Sequence, residues 1–539
     1  MKPKQWWQTA VIYQIYPRSF QDSNGDGVGD LAGITSRLGY VTDLGVDAIW
    51  ISPIFQSPMK DFGYDISDYT AIEPLFGTMA DFDELLQAAH SHGLKVLLDF
   101  VPNHTSDQHA WFVASRSSKT NPKRDWYIWR DPAPGGGPPN NWLSEFGGSA
   151  WEFDEKSGQY YYHAFLAAQP DLNWRKAEVV TAMHDVLRFW LAKGVDGFRV
   201  DVIWHLIKDA AFRDNPPNPD YRPGKPPNQR VVPLYSTDLP EVHLVIAGIR
   251  RVVDEFDDRL LIGEIYLPIE RLVTYYGRDL DGAHLPFNFT LLNTSWDARK
   301  IAKLVTEYEA ALPRGGWPNW VLGNHDQPRI AGRIGSAQAA VAAMLLLTLR
   351  GTPTIYYGEE LGMPQAQIPP DRVRDPFEKN VPGIGVGRDG SRTPMQWDST
   401  ENAGFSTADT WLPLAEGWKS TNVENLKEDK TSILNLYKRL LSVRRNSAAL
   451  AHGSYAPYLG ESDLLIYFRE FEDQRALIVL NLTHIESAIA FPVGQIEGSV
   501  LVSIFGDRDG EPVADTIVLR GDEGLVIGLS RVSKASAVG

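Results

Sequence analysis

The sequence predicts an α/β fold: a (β/α)8 barrel of the TIM type, with an inserted subdomain after the third strand and a C-terminal antiparallel β domain. Three observations carry this expectation. Four apolar, strand-like runs each end in polar, titratable residues: Val96–His104, Gly197–Val202, Leu260–Glu264 and Trp320–Asp326. In a parallel barrel the C-terminal ends of different strands converge on one site, and packing alone gives no reason for four such endings. Strand-like and helix-like segments alternate from Val11 to Arg445, the order of a parallel sheet with crossover helices. From about Tyr455 the pattern shifts to short alternating runs, Leu464–Phe468, Ala476–Asn481 and Gly524–Leu529, as in a small antiparallel domain. The expected division is barrel over 1–104 and 175–454, insertion over 105–174, and β domain over 455–539.

Taken in order, Val11–Tyr16 reads as the first strand. The loop Asp22-Ser-Asn24-Gly-Asp26-Gly-Val28-Gly-Asp30 follows, and it opens like an EF-hand, with oxygens at alternate positions. An EF-hand loop closes on a Glu at position 12, where Gly33 stands here, so the EF-hand reading fails. A cation loop and a Gly-rich turn with solvated acids remain as alternatives. Val46–Ser52 is the second strand, and the loop after it carries Asp61-Phe62-Gly63-Tyr64-Asp65 on the catalytic rim. Helix Asp81–His92 leads to the third strand, Lys95–Val101.

About seventy residues then pass before a helical pattern resumes near Ala177, with Pro and Gly clustered over Asp131–Pro139. A βα loop is normally two to six residues, so this stretch is an inserted subdomain. Strand four carries Arg199 and Asp201. Residues two apart on a strand share a face, and a neighbouring cation keeps a carboxylate ionised. That pair suits a nucleophile, and equally a structural ion pair at a barrel rim. The Pro-dense loop Arg213–Pro227 reads as an ordered rim segment bounding the pocket, because barrel pattern resumes at Leu239. Strand five gives Glu264, strand six spans roughly Ala283–Phe289, strand seven gives His325 and Asp326, and strand eight is Thr352–Glu360. A long loop from Gly362 to about Asn425 precedes helix Ser432–Arg445, which closes the barrel.

Composition narrows the function classes. With 539 residues the chain can hold a large barrel and one or two smaller domains. A net charge of −16 argues against nucleic acid or an anionic membrane as partner. There is no Cys, which excludes disulfides, thiolate metal sites and a Cys nucleophile. Met1–Trp7 has no apolar h-region, so no signal peptide is visible and a cytoplasmic location is expected. The longest apolar run, Ala339–Leu349, is short of the about 20 residues a bilayer needs and reads as a buried barrel helix.

Asp99-Phe-Val-Pro-Asn103-His104, Gly197-Phe-Arg199-Val-Asp201, Gly263-Glu264 and Asn324-His325-Asp326, in that order, resemble the four signature regions of the α-amylase family of glycoside hydrolases. Gln169-Pro-Asp171-Leu-Asn173 resembles a fifth region in the form found in oligo-1,6-glucosidases and α-glucosidases, and the resemblance spans about residues 6 to 450. It implies that Asp201 is the nucleophile, Glu264 the general acid and then base, and Asp326 a carboxylate holding sugar hydroxyls in the distorted transition state. It also implies that His104 and His325 bind the sugar and Arg199 keeps Asp201 ionised. Asp61 and Tyr64 would line the subsite of the non-reducing glucose, and Phe165 would border it, although core packing suits Phe165 nearly as well. Arg392, in Ser391-Arg392-Thr-Pro-Met-Gln-Trp397, would bind a hydroxyl beside Asp61. If these two clamp the terminal glucose, the pocket is closed at one end and the enzyme removes single glucose units. Val202, directly after the nucleophile, tends in such glucosidases to accompany α-1,6 cleavage, and Ala or Thr to accompany α-1,4 preference.

The resemblance further implies a structural calcium, or magnesium in its place, on Asp22, Asn24, Asp26, the Val28 carbonyl and Asp30, with no organic cofactor. The expected substrates are small α-glucosides of the maltose and isomaltose type, with sucrose a further candidate, acted on by a monomer or homodimer. Transglucosylation and sucrose isomerisation are the alternatives within the family. The isomerases carry Arg-Leu-Asp-Arg-Asp before the Asn-His-Asp strand, and Phe287–Trp296 lacks it. Transporter-associated heavy subunits and dead sugar-binding homologues share the barrel but need an anchor or lose catalytic residues, and neither applies to this sequence.

Overall fold

Eight short parallel strands form the centre of the protein. In the computed structural model, which describes residues 5–458 and 462–530, they are β1 (Ile12–Ile15), β2 (Ala48–Ile51), β3 (Lys95–Phe100), β4 (Gly197–Val200), β5 (Leu260–Gly263), β6 (Leu285–Pro286), β7 (Asn319–Val321) and β8 (Thr352–Tyr356). Parallel ladders join β1 through β6 in sequence, and β8 pairs with both β1 and β7. Between β6 and β7 the ring is bridged by the Asn288 N–H, which donates to Asn319 Oδ1 at 3.0 Å. Strands covered on both faces read as continuous apolar runs, as here. Their period of two still divides the core. Ile12, Trp50, Leu97, Leu260, Ile262 and Val321 pack together inside the barrel. Tyr13, Ile49, Ile51, Val96, Leu98 and Leu261 face the surrounding helices.

Those helices include Met79–Ser91, Ala177–Lys193, Val242–Val253, Ala298–Ala311, Ser336–Thr348 and Ile433–Asn446. Helix Ser336–Thr348 is apolar all round, as the sequence suggests, because it lies between the barrel and the C-terminal sheet. Gln338 reaches the carbonyl of Asn481 in that sheet at 3.4 Å, and Arg444 of the closing helix donates to the Leu347 carbonyl at 2.8 Å. No helix among the described residues is long and apolar enough to cross a membrane. The C-terminal sheet has six antiparallel strands, from Ser454–Pro457 to Gly524–Leu529.

The insertion forms its own antiparallel sheet from Trp129–Arg130, Trp151–Asp154 and Gln159–Tyr162. Its two ends are stitched together at the barrel mouth, where the Leu172 N–H donates to the Asn103 carbonyl at 2.9 Å. The strands are shorter than expected at their C-terminal ends. Strand six covers Leu285–Pro286, not Ala283–Phe289, and strand eight stops at Tyr356, not Glu360. Pro286 has no N–H to donate, and Gly358 turns the chain out of the sheet at φ +85°. The same shortening places Asp201, Glu264, His325 and Asp326 just beyond their strands, free of the ladder and able to turn into the barrel mouth.

Candidate active site

Arg199 on β4 is fully buried and organises the floor of the mouth. Its Nη1 donates to Asp99 Oδ1 on β3 at 2.7 Å and to Asp201 Oδ1 at 2.8 Å. Its Nη2 approaches Glu264 Oε2 at 2.6 Å. One cation therefore faces three buried carboxyls. Asp99 also accepts from Tyr64 Oη at 3.1 Å and Trp50 Nε1 at 3.2 Å; burial raises its carboxyl above the ordinary range, and these donors with Arg199 oppose the shift. Burial raises both Asp201 and Glu264 above the ordinary carboxylate range, and Arg199 opposes the shift in each. The contact to Asp201 is an aligned hydrogen bond, whereas the approach to Glu264 lacks that alignment. Glu264 Oε2 in turn accepts a backbone N–H, from Val202 at 3.0 Å, so the two carboxyls lean on one cation and exchange protons as a pair.

The turn after β4 joins the two. Val202 stands at φ +36°, a left-handed conformation that a β-branched residue rarely adopts. Its N–H donates to Glu264 Oε2 at 3.0 Å. Val202 is thus not a strand residue; it is a strained corner beside Asp201, and its side chain lines the cavity.

Asp326 is held differently. Burial works against its charge, yet His325, Arg388 and Arg392 together hold it well below the usual range. Arg388 and Arg392 both donate to Oδ1, at 3.1 and 2.9 Å, and His325 Nε2 lies 3.0 Å from Oδ2. An Asp so fixed as an anion cannot be the proton donor. Burial lowers His325 to about 4, so its ring is neutral at pH 7. The Gln14 amide donates to its Nδ1 at 2.9 Å, leaving the ring proton on Nε2 toward Asp326 and Tyr64. Burial likewise lowers His104 to about 4, and its Nε2–H faces the Tyr64 carbonyl at 3.0 Å.

These groups meet in one cavity of about 500 Å³ at the C-terminal end of the barrel. Asp61, Tyr64, His104, Phe165, Asp201, Val202, Glu264, His325 and Asp326 all line it. Arg199 and Arg392 stand behind that lining, each about 1% exposed or less. Arg392 bonds Asp326 and the His325 carbonyl, and the group that reaches Asp61 is Arg388, at 2.8 Å. Arg388 also donates to the buried Asp375 at 2.7 Å. The sequence puts Arg392 on a glucose hydroxyl beside Asp61; in the structure the arginine beside Asp61 is Arg388, which also bridges to Asp326. The two arginines are four residues apart across the short turn Asp389–Ser391, and the spacing alone does not say which one faces Asp61.

Sequence reasoning also missed the outer wall, where Glu145, Phe146, Trp204, Tyr266, Asn228 and Phe377 stand. Asn228 belongs to the segment following the Pro-dense loop, which does bound the pocket through Pro226. The only available signal for the wall was that loop's length.

The Asp22–Asp30 loop lies apart from the cavity, against the segment around Phe405. Three successive side-chain turns roll it up: Asn24, Asp26 and Val28 N–H groups donate to Asp22, Asn24 and Asp26 at 3.0, 3.0 and 2.8 Å. Asp30 caps the next helix and accepts from Ser23. Among the described residues no three acidic or His side chains converge as metal ligands. An ion here therefore depends on the Asn24 amide oxygen and the Val28 carbonyl besides carboxylates, and this all-oxygen set has the chemistry of a hard-cation site.

Comparison with known proteins agrees with this geometry. The model described as the catalytic domain of α-amylase matches residues 14–453, and that of the maltogenic amylase C-terminal domain matches 458–520. A probable α-glucosidase of Rhizobium meliloti is 42% identical, over 92% of each chain. An oligo-1,6-glucosidase of Heyndrickxia coagulans is 39% identical, over 90% of this chain and 93% of its own. The crystal structure of an α-glucosyl transfer enzyme, XgtA, superposes with a TM-score of 0.93 at 41% identity, covering 98% of this chain and all of that one.

Proposed function

Because the chain belongs to the α-amylase family of glycoside hydrolases, we propose that it is an exo-acting α-glucosidase that releases glucose from the non-reducing end of short α-glucosides with retention. The observation that carries this reading is the Asp61–Arg388–Asp326 bridge, which closes one end of the cavity beside Asp201 and Glu264. A pocket closed there admits a chain end and not the middle of a polymer.

In the proposed reaction the terminal glucose sits against Asp61, His104, His325 and Asp326. Asp201 attacks the anomeric carbon while the Glu264 proton passes to the glycosidic oxygen, and the aglycone leaves. Glu264, now a carboxylate, takes a proton from water, whose oxygen displaces Asp201 and regenerates both groups. Attachment of both carboxyls to one guanidinium suits the about 5–5.5 Å separation of retaining enzymes. The test is the product profile on maltose, isomaltose, sucrose, trehalose and soluble starch. Glucose released first as the α-anomer from disaccharides is expected; rapid internal cleavage of starch, or β-glucose as first product, overturns the reading.

A second reading, glucosyl transfer, is favoured by the aromatic outer wall. Phe146, Phe165, Trp204, Tyr266 and Phe377 present apolar faces to whatever replaces the aglycone, and XgtA is described as a transfer enzyme.

Val202 supports acceptance of α-1,6 bonds, since it stands where the second sugar leaves the pocket and an α-1,6 bond has one more rotatable carbon to pass it. Exchanging a methyl for a hydroxyl in an apolar pocket is worth up to about 10²-fold in selectivity. Val202→Thr is therefore expected to shift the kcat/KM ratio toward maltose over isomaltose by about tenfold. An unchanged ratio in the variant removes Val202 from linkage choice.

For the Asp22–Asp30 loop we propose a structural calcium on Asp22, Asn24, Asp26, the Val28 carbonyl and Asp30, supported by the alternating oxygens. A ligand of the native state alone raises stability, so chelation is expected to lower Tm and added calcium to restore it. The loop lies outside the cavity, so kcat at a temperature well below Tm should not change. A Tm indifferent to chelator counts against the ion.

A further inference from the structure

The leaving side of the cavity carries polar groups that the mechanism does not use. Glu145, from the inserted subdomain, lies at the junction of the catalytic cavity and an adjoining one of about 250 Å³. Its Oε2 accepts from Asn228 Nδ2 at 2.7 Å, so two separate loops are clasped by one side-chain bond across the outer pocket. Burial raises the Glu145 carboxyl, and Asn228 is the partner that opposes the shift; no cation does. Asn228 Oδ1 and His205 Nδ1 are buried beside it, and each lacks a hydrogen-bond partner among the described residues. Buried polar atoms without partners are uncommon, and both of these residues line both cavities. The smaller cavity has no Lys or Arg in its wall. In the larger one the only Lys or Arg is Arg388, already held by Asp61, Asp326 and Asp375.

We propose that Glu145, with Asn228 and His205, is the recognition site for the group on the leaving side of the scissile bond, and that it selects an uncharged, hydroxyl-bearing group and refuses anionic ones. The inference rests on the α-glucosidase reading and adds to it the chemical class of the aglycone. A carboxyl and an amide oxygen with a free lone pair accept hydrogen bonds from sugar hydroxyls. With no Lys or Arg in either lining except the already paired Arg388, a phosphorylated sugar would bring its charge against Glu145 with no lining cation to pair it. Specificity of this kind needs the unfavourable element as well as the favourable one.

The test compares substrates that do and do not fill this site. α-Glucosyl fluoride has a leaving group too small to reach Glu145. Glu145→Gln is expected to lower kcat/KM on the better of maltose and isomaltose by about tenfold or more, with kcat/KM on α-glucosyl fluoride within twofold of wild type. Glu145→Lys is expected to invert the order in which trehalose and trehalose 6-phosphate inhibit α-glucosyl fluoride hydrolysis, favouring the phosphate by about tenfold. Equal losses on fluoride and disaccharide, no loss on either, or no inversion with the Lys variant overturns the proposal and leaves the glucosidase reading standing. A wild-type enzyme inactive on α-glucosyl fluoride and on both disaccharides overturns the two together.

Discussion

Replacing Asp201 by Asn is expected to abolish turnover of maltose and isomaltose, by about 10⁴-fold or more, while the fold persists. The magnitude follows from what the removal of one member of a concerted catalytic set does elsewhere. The side chain keeps its size, and its partner Arg199 stays paired with Asp99 and Glu264, so Tm should move little. Glu264→Gln separates the two half-reactions. Loss of the general acid is worth about 10²–10⁴-fold on disaccharides, whose leaving groups need a proton. An aryl glucoside with a good leaving group should still give a burst before stalling at the glucosyl-enzyme. The pH profile supplies the sign. Burial raises Glu264, so its acid form persists above the ordinary range, and activity falls as pH rises through that raised value. The descending limb belongs to the Asp201–Glu264 pair as a macroscopic step. Glu264→Gln should remove it for activated substrates. Near-normal activity of Asp201→Asn on either disaccharide, or an unchanged alkaline limb in Glu264→Gln, would sink the assignment.

Arg388→Ala should be nearly as damaging, although this residue does not touch the reacting bond. Its guanidinium pairs with the buried Asp61 and Asp375 and with Asp326, whose side chain is 22% exposed to the cavity. Removing one partner of a buried pair is worth about 3–5 kcal/mol because the other charges are left uncompensated. Burial already raises Asp61 and Arg388 opposes the shift. Without Arg388, Asp61 takes up a proton more readily and loses its grip on the terminal glucose. A fall in kcat/KM of about 10²–10³-fold on all α-glucosides is expected, with Arg388→Lys recovering only part because an ammonium lacks the planar fork. Arg392→Lys should cost less on binding, since Arg392 stands behind Asp326 and meets no sugar. If Arg392→Lys proves the more harmful of the two Lys variants, the clamp belongs to Arg392.

The sequence alone determined the barrel, because parallel strands buried on both faces leave long apolar runs, and it marked their catalytic ends by the polar residues that stop those runs. It likewise singled out Asp201, Glu264 and Asp326, through strand-end motifs that resemble the family's signature regions, and the structure brings the three into one cavity. Insertion and C-terminal domain were legible as breaks in periodicity. Tertiary structure alone decided which arginine meets Asp61. Arg388 and Arg392 share one turn, and only the placement of Asp375 in the same long loop and of Asp61 from the loop after β2 pulls Arg388 forward. It also decided that Val202 is a strained corner and not a strand residue: it stands at φ +36° with its N–H on Glu264, sixty-two positions away. The outer wall was invisible for the same reason. Glu145 and Asn228 lie eighty-three residues apart, and nothing local to either announces the other, since a side-chain contact between two irregular loops leaves no periodicity in either.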